Sequence, residues 1–156
     1  MNILEIKNIV KFSKTLKVLY VEDNPADVFL AKEFLLAESP NINFHCATTL
    51  TDAYAEVVVN NIDVMLVDLN LPDSDGINTV NSLNKLSKEL PIVVLTNSEE
   101  KNTLNRIKKA QMFCFLKKQV FDTSTKNSFK TLASTINYLG NQRLKINLSI
   151  QAGPER

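Results

Sequence analysis

Cysteine and histidine are scarce in this chain: it holds two cysteines, Cys46 and Cys114, and one histidine, His45. Both cysteines stand in apolar, strand-like stretches with no metal-type spacing, so they read as reduced core thiols rather than zinc ligands or a disulfide framework. His45 lies beside Cys46 with no second ligand in sight, which removes a histidine-based metal centre. No apolar run reaches the ~18 residues of a membrane span. The opening residues, Met1 to Lys7, lack the basic-then-apolar layout of a secretory signal. A cytoplasmic location away from the membrane is expected. Internal repeats and low-complexity segments are absent too.

What the chain does have is the size and balance of one soluble domain: 156 residues, 44% hydrophobic and 22% charged. Such a length typically buries roughly 68–70% of its unfolded surface, enough for a core without covalent staples. Charge is unevenly distributed. Residues 1–100 carry 7 basic and 15 acidic side chains, while residues 101–156 carry 11 and 2. An acidic site is therefore expected in the first part and a basic surface in the second. Lys101, Arg106, Lys108, Lys109, Lys126 and Lys130 fall mostly in helical stretches and read as solvated helix surface. An acidic protein partner ranks ahead of nucleic acid for them, and nucleic-acid binding is not expected.

Short apolar runs punctuate the sequence. Val18–Val21, Val64–Val67 and Pro91–Leu95 suit strands buried on both faces, Phe113–Leu116 reads as a last strand, and Asn43–Ala47 is a weaker one. Between them, helical spacing predicts helices after Pro25 (with Val28, Phe29, Leu30, Phe34 and Leu35), from about Thr51, after Gly76 and from about Glu99. A final helix is predicted from roughly Thr125, which Gly140 is placed to end. Strand–helix alternation of this kind predicts a doubly wound α/β fold, a five-stranded parallel sheet with five helices. The domain is expected over residues 17–140, with an N-terminal extension at 1–16 and a flexible tail at 141–156. Sixteen residues after Gly140 are too few for a DNA-binding module, so output is expected through protein contact.

Carboxylates cap two of these strands: Glu22 and Asp23 follow the first, and Asp68 ends the third. Thr96 ends the fourth, and Lys117 follows the fifth. In a parallel sheet all these ends share one edge, where open α/β folds bind ligands. Three carboxylates gathered there repel by about 4 kcal/mol per pair at 4 Å and an effective dielectric near 20. The cluster calls for a cation, and all-oxygen ligands at a small hydrated site favour Mg²⁺. A threonine hydroxyl and a lysine ammonium complement phosphoryl oxygens, and an aspartate can accept a phosphoryl group as nucleophile. Phosphorylation of Asp68 with Mg²⁺ is the reading that uses all five residues.

The stretches Val18-Leu19-Tyr20-Val21-Glu22-Asp23-Asn24-Pro25-Ala26-Asp27, Val67 to Gly76 and Pro91 to Thr96 resemble the successive motifs of response-regulator receiver domains of two-component signalling. The resemblance runs from about Lys17 to Gly140. It implies Asp68 as phospho-acceptor, Asp23 as direct metal ligand and Glu22 as an acid holding metal through water. It further implies Asn70 as the residue giving a backbone carbonyl to the metal, and Thr96 as a hydroxyl that turns inward on phosphorylation. Receivers usually show Lys-Pro where this chain has Lys117-Lys118-Gln119. Counting from Thr96 without gaps selects Lys118, whereas aligning Gln119-Val120 and the last helix selects Lys117, the preferred choice. The family's switch aromatic, three residues earlier, then falls on Cys114, or on Phe115 with Lys118. A histidine kinase or phosphotransfer protein is the implied donor, and a downstream protein the target, with a homodimer allowed. A pseudo-receiver that binds partners without phosphorylation is the alternative. An aspartyl phosphatase or mutase is disfavoured, because Asn70 stands where such enzymes place a second acid, so no enzyme beyond self-phosphorylation and dephosphorylation is expected.

Overall fold

The computed structural model describes residues 15–121 and 126–152; residues 1–14 of the expected extension at 1–16, the helix start at Thr125 and residues 153–156 lie outside them, and the first strand already begins at Leu16 within that extension. Five strands, β1 (Leu16–Val21), β2 (Ile42–Ala47), β3 (Val64–Asp68), β4 (Ile92–Thr96) and β5 (Phe113–Leu116), form one sheet in the order β2-β1-β3-β4-β5. Every pairing is parallel. The helices are α1 (Pro25–Glu38), α2 (Leu50–Asn60), α3 (Gly76–Leu86), α4 (Lys101–Lys109) and α5 (Lys126–Ala152), with a single helical turn at Lys117–Val120. No helix among the described residues is long and apolar enough to cross a membrane.

Strand side chains alternate between two cores, as the period of two requires. Leu19, Val21, Met65, Val67, Ile92 and Val94 pack with Leu50, Ala53, Val80, Leu83 and Ile107, from α2, α3 and α4. Val18, Tyr20, Val64, Leu66, Val93 and Leu95 pack instead with α1 and α5, through Ala31, Leu35, Phe129, Leu132 and Ile136. The continuous apolar runs of β3 and β4 are therefore buried throughout. β2 and β5 are the sheet edges, and there the expectation of core thiols fails: Cys46 and Cys114 are both free and exposed. An edge strand has a neighbour on one side only, so part of each apolar run faces outward.

Local chemistry starts the helices where the sequence placed them. Asn24 caps α1, its side chain accepting from the Ala26 N–H at 3.0 Å, and Pro25 fills the first helical position. Thr49 caps α2 in the same way through the Asp52 N–H. α5 departs from expectation: it runs through Gly140 to Ala152 instead of stopping there. Gly140 sits where a Cβ would lie 2.7 Å from Leu16 Cδ2. The glycine thus lets α5 lie against the start of β1, and close packing explains it better than a helix stop.

Candidate functional site

The carboxyl ends of β1, β3 and β5 deliver their next side chains to one rim of the sheet. Val21 pairs with Val67, which puts Glu22 beside Asp68, and Thr96 pairs with Leu116, which puts Lys117 one step past the end of β5. Oxygens of Glu22, Asp23 and Asp68 lie within 4.8 Å of one another. Asp23 is exposed, while Glu22 and Asp68 are buried, at 1% and 6% exposure.

Glu22 is held from three directions. Its Oε1 accepts the Asn24 N–H at 3.0 Å, and its Oε2 accepts the Tyr20 hydroxyl at 3.1 Å and the Lys117 ammonium at 2.5 Å. Burial pushes the Glu22 carboxyl above the ordinary glutamate range, against the pull of Lys117 and the Asn24 amide. Tyr20 is fully buried, and desolvation together with the Glu22 charge raises its phenol, which stays a neutral donor.

Lys117 reaches three carboxylates at once: Glu22 Oε2, Asp27 Oδ2 at 2.6 Å and Asp68 Oδ2 at 3.1 Å. Burial works against its charge, but Asp27, Glu22 and Asp68 more than offset that and hold the amine above the ordinary lysine range. The ammonium is thus charged across the working pH range and spends its three donors on three acids. No peptide bond among the described residues is cis, and the chain leaves Lys117 in the helical turn to Val120. Leu116 pairs with Thr96, as the expected strand Phe113–Leu116 requires, and Lys117 is the first residue past it.

The loop after Asp68 is tied down by its own polar residues. The Asn70 N–H donates to Asp68 Oδ1 at 3.4 Å, and Asn70 itself is exposed. Leu71 and Ser74 exchange backbone hydrogen bonds around Pro72-Asp73. Asp73 reaches across to α2, its Oδ1 accepting the Leu50 N–H and its Oδ2 the Thr51 N–H. Buried Thr79 donates from Oγ1 to the Leu69 carbonyl at 2.8 Å, which fixes α3 to the residue after Asp68. Thr96 is fully buried at the end of β4, and its Oγ1 accepts the Ser98 N–H at 3.0 Å.

The family model of the response regulator receiver domain matches residues 18–128. The chain belongs to this family. Receiver domains are signalling modules of two-component systems, not enzymes in general. The receiver is 35% identical over 83 residues to the autoinducer 2 sensor kinase/phosphatase LuxQ of Vibrio cholerae serotype O1, a stretch covering 53% of this chain and 9% of that protein. It is 30% identical over 88 residues to the transcriptional regulatory protein KdpE of Staphylococcus aureus, covering 56% of this chain and 37% of that one. The chain thus spans well under half of either relative. Among solved structures, the Mn²⁺-bound form of response regulator Rcp1 is 26% identical, with a TM-score of 0.60 over 76% of this receiver and 90% of that chain.

One residue of the receiver's site carried no role in the sequence reading. Asp27 was visible only as the last letter of the first motif, yet its carboxylate grips Lys117. The signal was its place in the first turn of α1, directly after the strand-end acids, where the helix start at Pro25 keeps it close to the same sheet edge.

Proposed function

We propose that this receiver takes a phosphoryl group onto Asp68 from a histidine kinase or phosphotransfer protein, with Mg²⁺ at the acidic cluster, and that the modified domain switches a protein-binding surface. The observation that carries the reading is the gathering of Glu22, Asp23 and Asp68 oxygens within 4.8 Å, with the Lys117 ammonium 3.1 Å from Asp68 Oδ2. The donor set fits a hard divalent ion: carboxylate oxygens, an adjacent backbone from Asn70 and one side open to water at Asp23. A bound Mg²⁺ supplies charge that offsets the build-up on phosphoryl oxygens. Rcp1, the solved relative above, is itself a Mn²⁺-bound response regulator.

Asp68 attacks phosphorus through a carboxylate oxygen. A new O–P bond forms and the P–N bond to the donor imidazole breaks, the imidazole leaving with the electron pair. Lys117 donates to a phosphoryl oxygen as a fixed point charge, and buried Glu22 and Tyr20 hold the ammonium's approach from the β1 side. The product places about −2 of charge beside Thr96. With Lys117 as the site lysine, the position three residues earlier is Cys114, so no aromatic rotamer is there to report the change. The readout falls instead to Thr96 and α4, whose exposed Lys101, Arg106, Lys108 and Lys109 suit an acidic protein target. A phosphorylation-independent interaction module requires none of these placements.

The test is incubation with acetyl phosphate and Mg²⁺, followed by intact mass for wild type and Asp68→Asn. Only the wild type gains one phosphoryl group, acetate leaving, and EDTA abolishes the gain. Equal uptake by the variant, or none by either, sinks the reading.

A further inference from the structure

Lys117 stands where a divalent ion has to compete with it. Its ammonium is bound to Glu22 Oε2 at 2.5 Å and to Asp68 Oδ2 at 3.1 Å, and these are two of the three acids whose oxygens lie within 4.8 Å of one another. An ion drawing on those oxygens removes acceptors from a lysine that is only 8% exposed. A buried ammonium stripped of its partners is strongly destabilised. The site therefore needs somewhere to keep that charge.

Asp27 is such a place. Its Oδ2 accepts from Lys117 Nζ at 2.6 Å, and it stands outside the three-acid cluster, in the first turn of α1. Its side chain is 22% exposed, so it holds a proton donor without itself being costly to bury. The turn that carries it is fixed by the Asn24 cap and Pro25. Asp27 also borders a pocket of about 550 Å³ with Lys117, Asn97, Glu99, Gln119 and Phe121, which gives the lysine end room on that side.

From this arrangement we infer that Asp27 is a positioning residue: it retains the Lys117 ammonium when a divalent cation takes up Glu22 and Asp68, and thereby strengthens cation binding at the acidic cluster. The inference rests on the metal reading proposed above. Without Asp27, the bound state leaves Lys117 short of acceptors, while the free state still offers it Glu22 and Asp68. The loss thus falls mainly on the cation-bound state, and affinity drops.

Titration of the full chain with Mg²⁺ by calorimetry, in four forms, tests this: wild type, Asp27→Asn, Lys117→Met and the double variant. Asp27→Asn is expected to weaken Mg²⁺ binding about fivefold when Lys117 is present, the order expected for a partly exposed charged hydrogen bond. In the Lys117→Met background the same change is expected to shift affinity by less than about twofold, since only Asp27's distant charge is then lost. Asp27→Glu, which keeps the carboxylate charge that Asn lacks, restores most of the affinity and excludes a folding defect. An equal loss in both backgrounds, or none in either, overturns the inference while wild-type binding leaves the metal reading intact. A wild type that binds no Mg²⁺ overturns both.

Discussion

Asp23→Asn is expected to make this receiver more stable in EDTA and less stable than wild type in Mg²⁺. Three carboxylates share a 4.8 Å neighbourhood, and the Lys117 ammonium pairs with two of them, Glu22 and Asp68, leaving Asp23 exposed. At that separation a like-charge pair costs about 0.9 kcal/mol in bulk water and about 3.5 kcal/mol at an effective dielectric near 20. Exposure puts Asp23 near the lower figure. Two such pairs, partly offset by attraction to Lys117, leave a net repulsion of about 1 kcal/mol. Removing it raises the melting temperature by about 2–4 °C for a chain of this size. In about 1 M salt, where the Debye length is near 3 Å, most of that gain disappears. With millimolar Mg²⁺ the order reverses, because ligand binding stabilises the folded state by mass action and the variant lacks a ligand. Thermal melts of both proteins in EDTA, in Mg²⁺ and at two salt concentrations decide the matter. A variant that melts below wild type in EDTA refutes the electrostatic reasoning, and equal stabilisation by Mg²⁺ refutes the assignment of Asp23.

Two further outcomes follow from the packing and the loop. Gly140→Ala gains about 1 kcal/mol of helix propensity but drives its Cβ to 2.7 Å from Leu16 Cδ2, an overpacking cost of about 1–3 kcal/mol; urea unfolding should show no gain or a net loss. In a Leu16→Ala background the same change should stabilise, and simple additivity of the two refutes the contact. Asp73 behaves as an acid sensor for α2, because hydrogen bonds from the Leu50 and Thr51 backbone hold its carboxyl below the 3.8 of a free aspartate. Its contribution is complete above 3.8 and fades as pH falls through the lower folded value. Asp73→Asn should therefore lower the melting temperature at pH 7 and cease to matter in strong acid; a pH-independent difference contradicts this.

The strands and their terminal acids were legible because they are local signals. A buried parallel strand reads as an unbroken apolar run, and Val18–Val21, Val64–Val67 and Ile92–Leu95 each run into Glu22, Asp68 or Thr96 without interruption. Parallel topology then does the gathering, so residues nearly 100 positions apart could be placed on one rim from pattern alone. Other features were not legible because they depend on tertiary contact. Gly140 has the chemistry of a helix stop, and only the nearness of Leu16 shows why a helix passes through it. The bounds of β5 were legible, since Phe113–Leu116 is an apolar run ended by Lys117, but which acids that lysine meets depends on the far strands. Cys46 and Cys114 sit in apolar company along the chain, but strand order, which made β2 and β5 edges, decided their exposure. Asp27 needed the reach of a lysine from the far end of the sheet to become part of the site.

The length of α5 has a mechanical consequence. Its 27 residues span about 40 Å, twice the roughly 20 Å of the six-residue strand beneath it. From the Leu16 contact at Gly140 to Ala152 is a further 18 Å or so at about 1.5 Å per residue. Past that contact the Arg143 guanidinium donates to the Ile62 carbonyl just before β3, so the overhanging part of the helix is braced at its near end by a second attachment to the sheet.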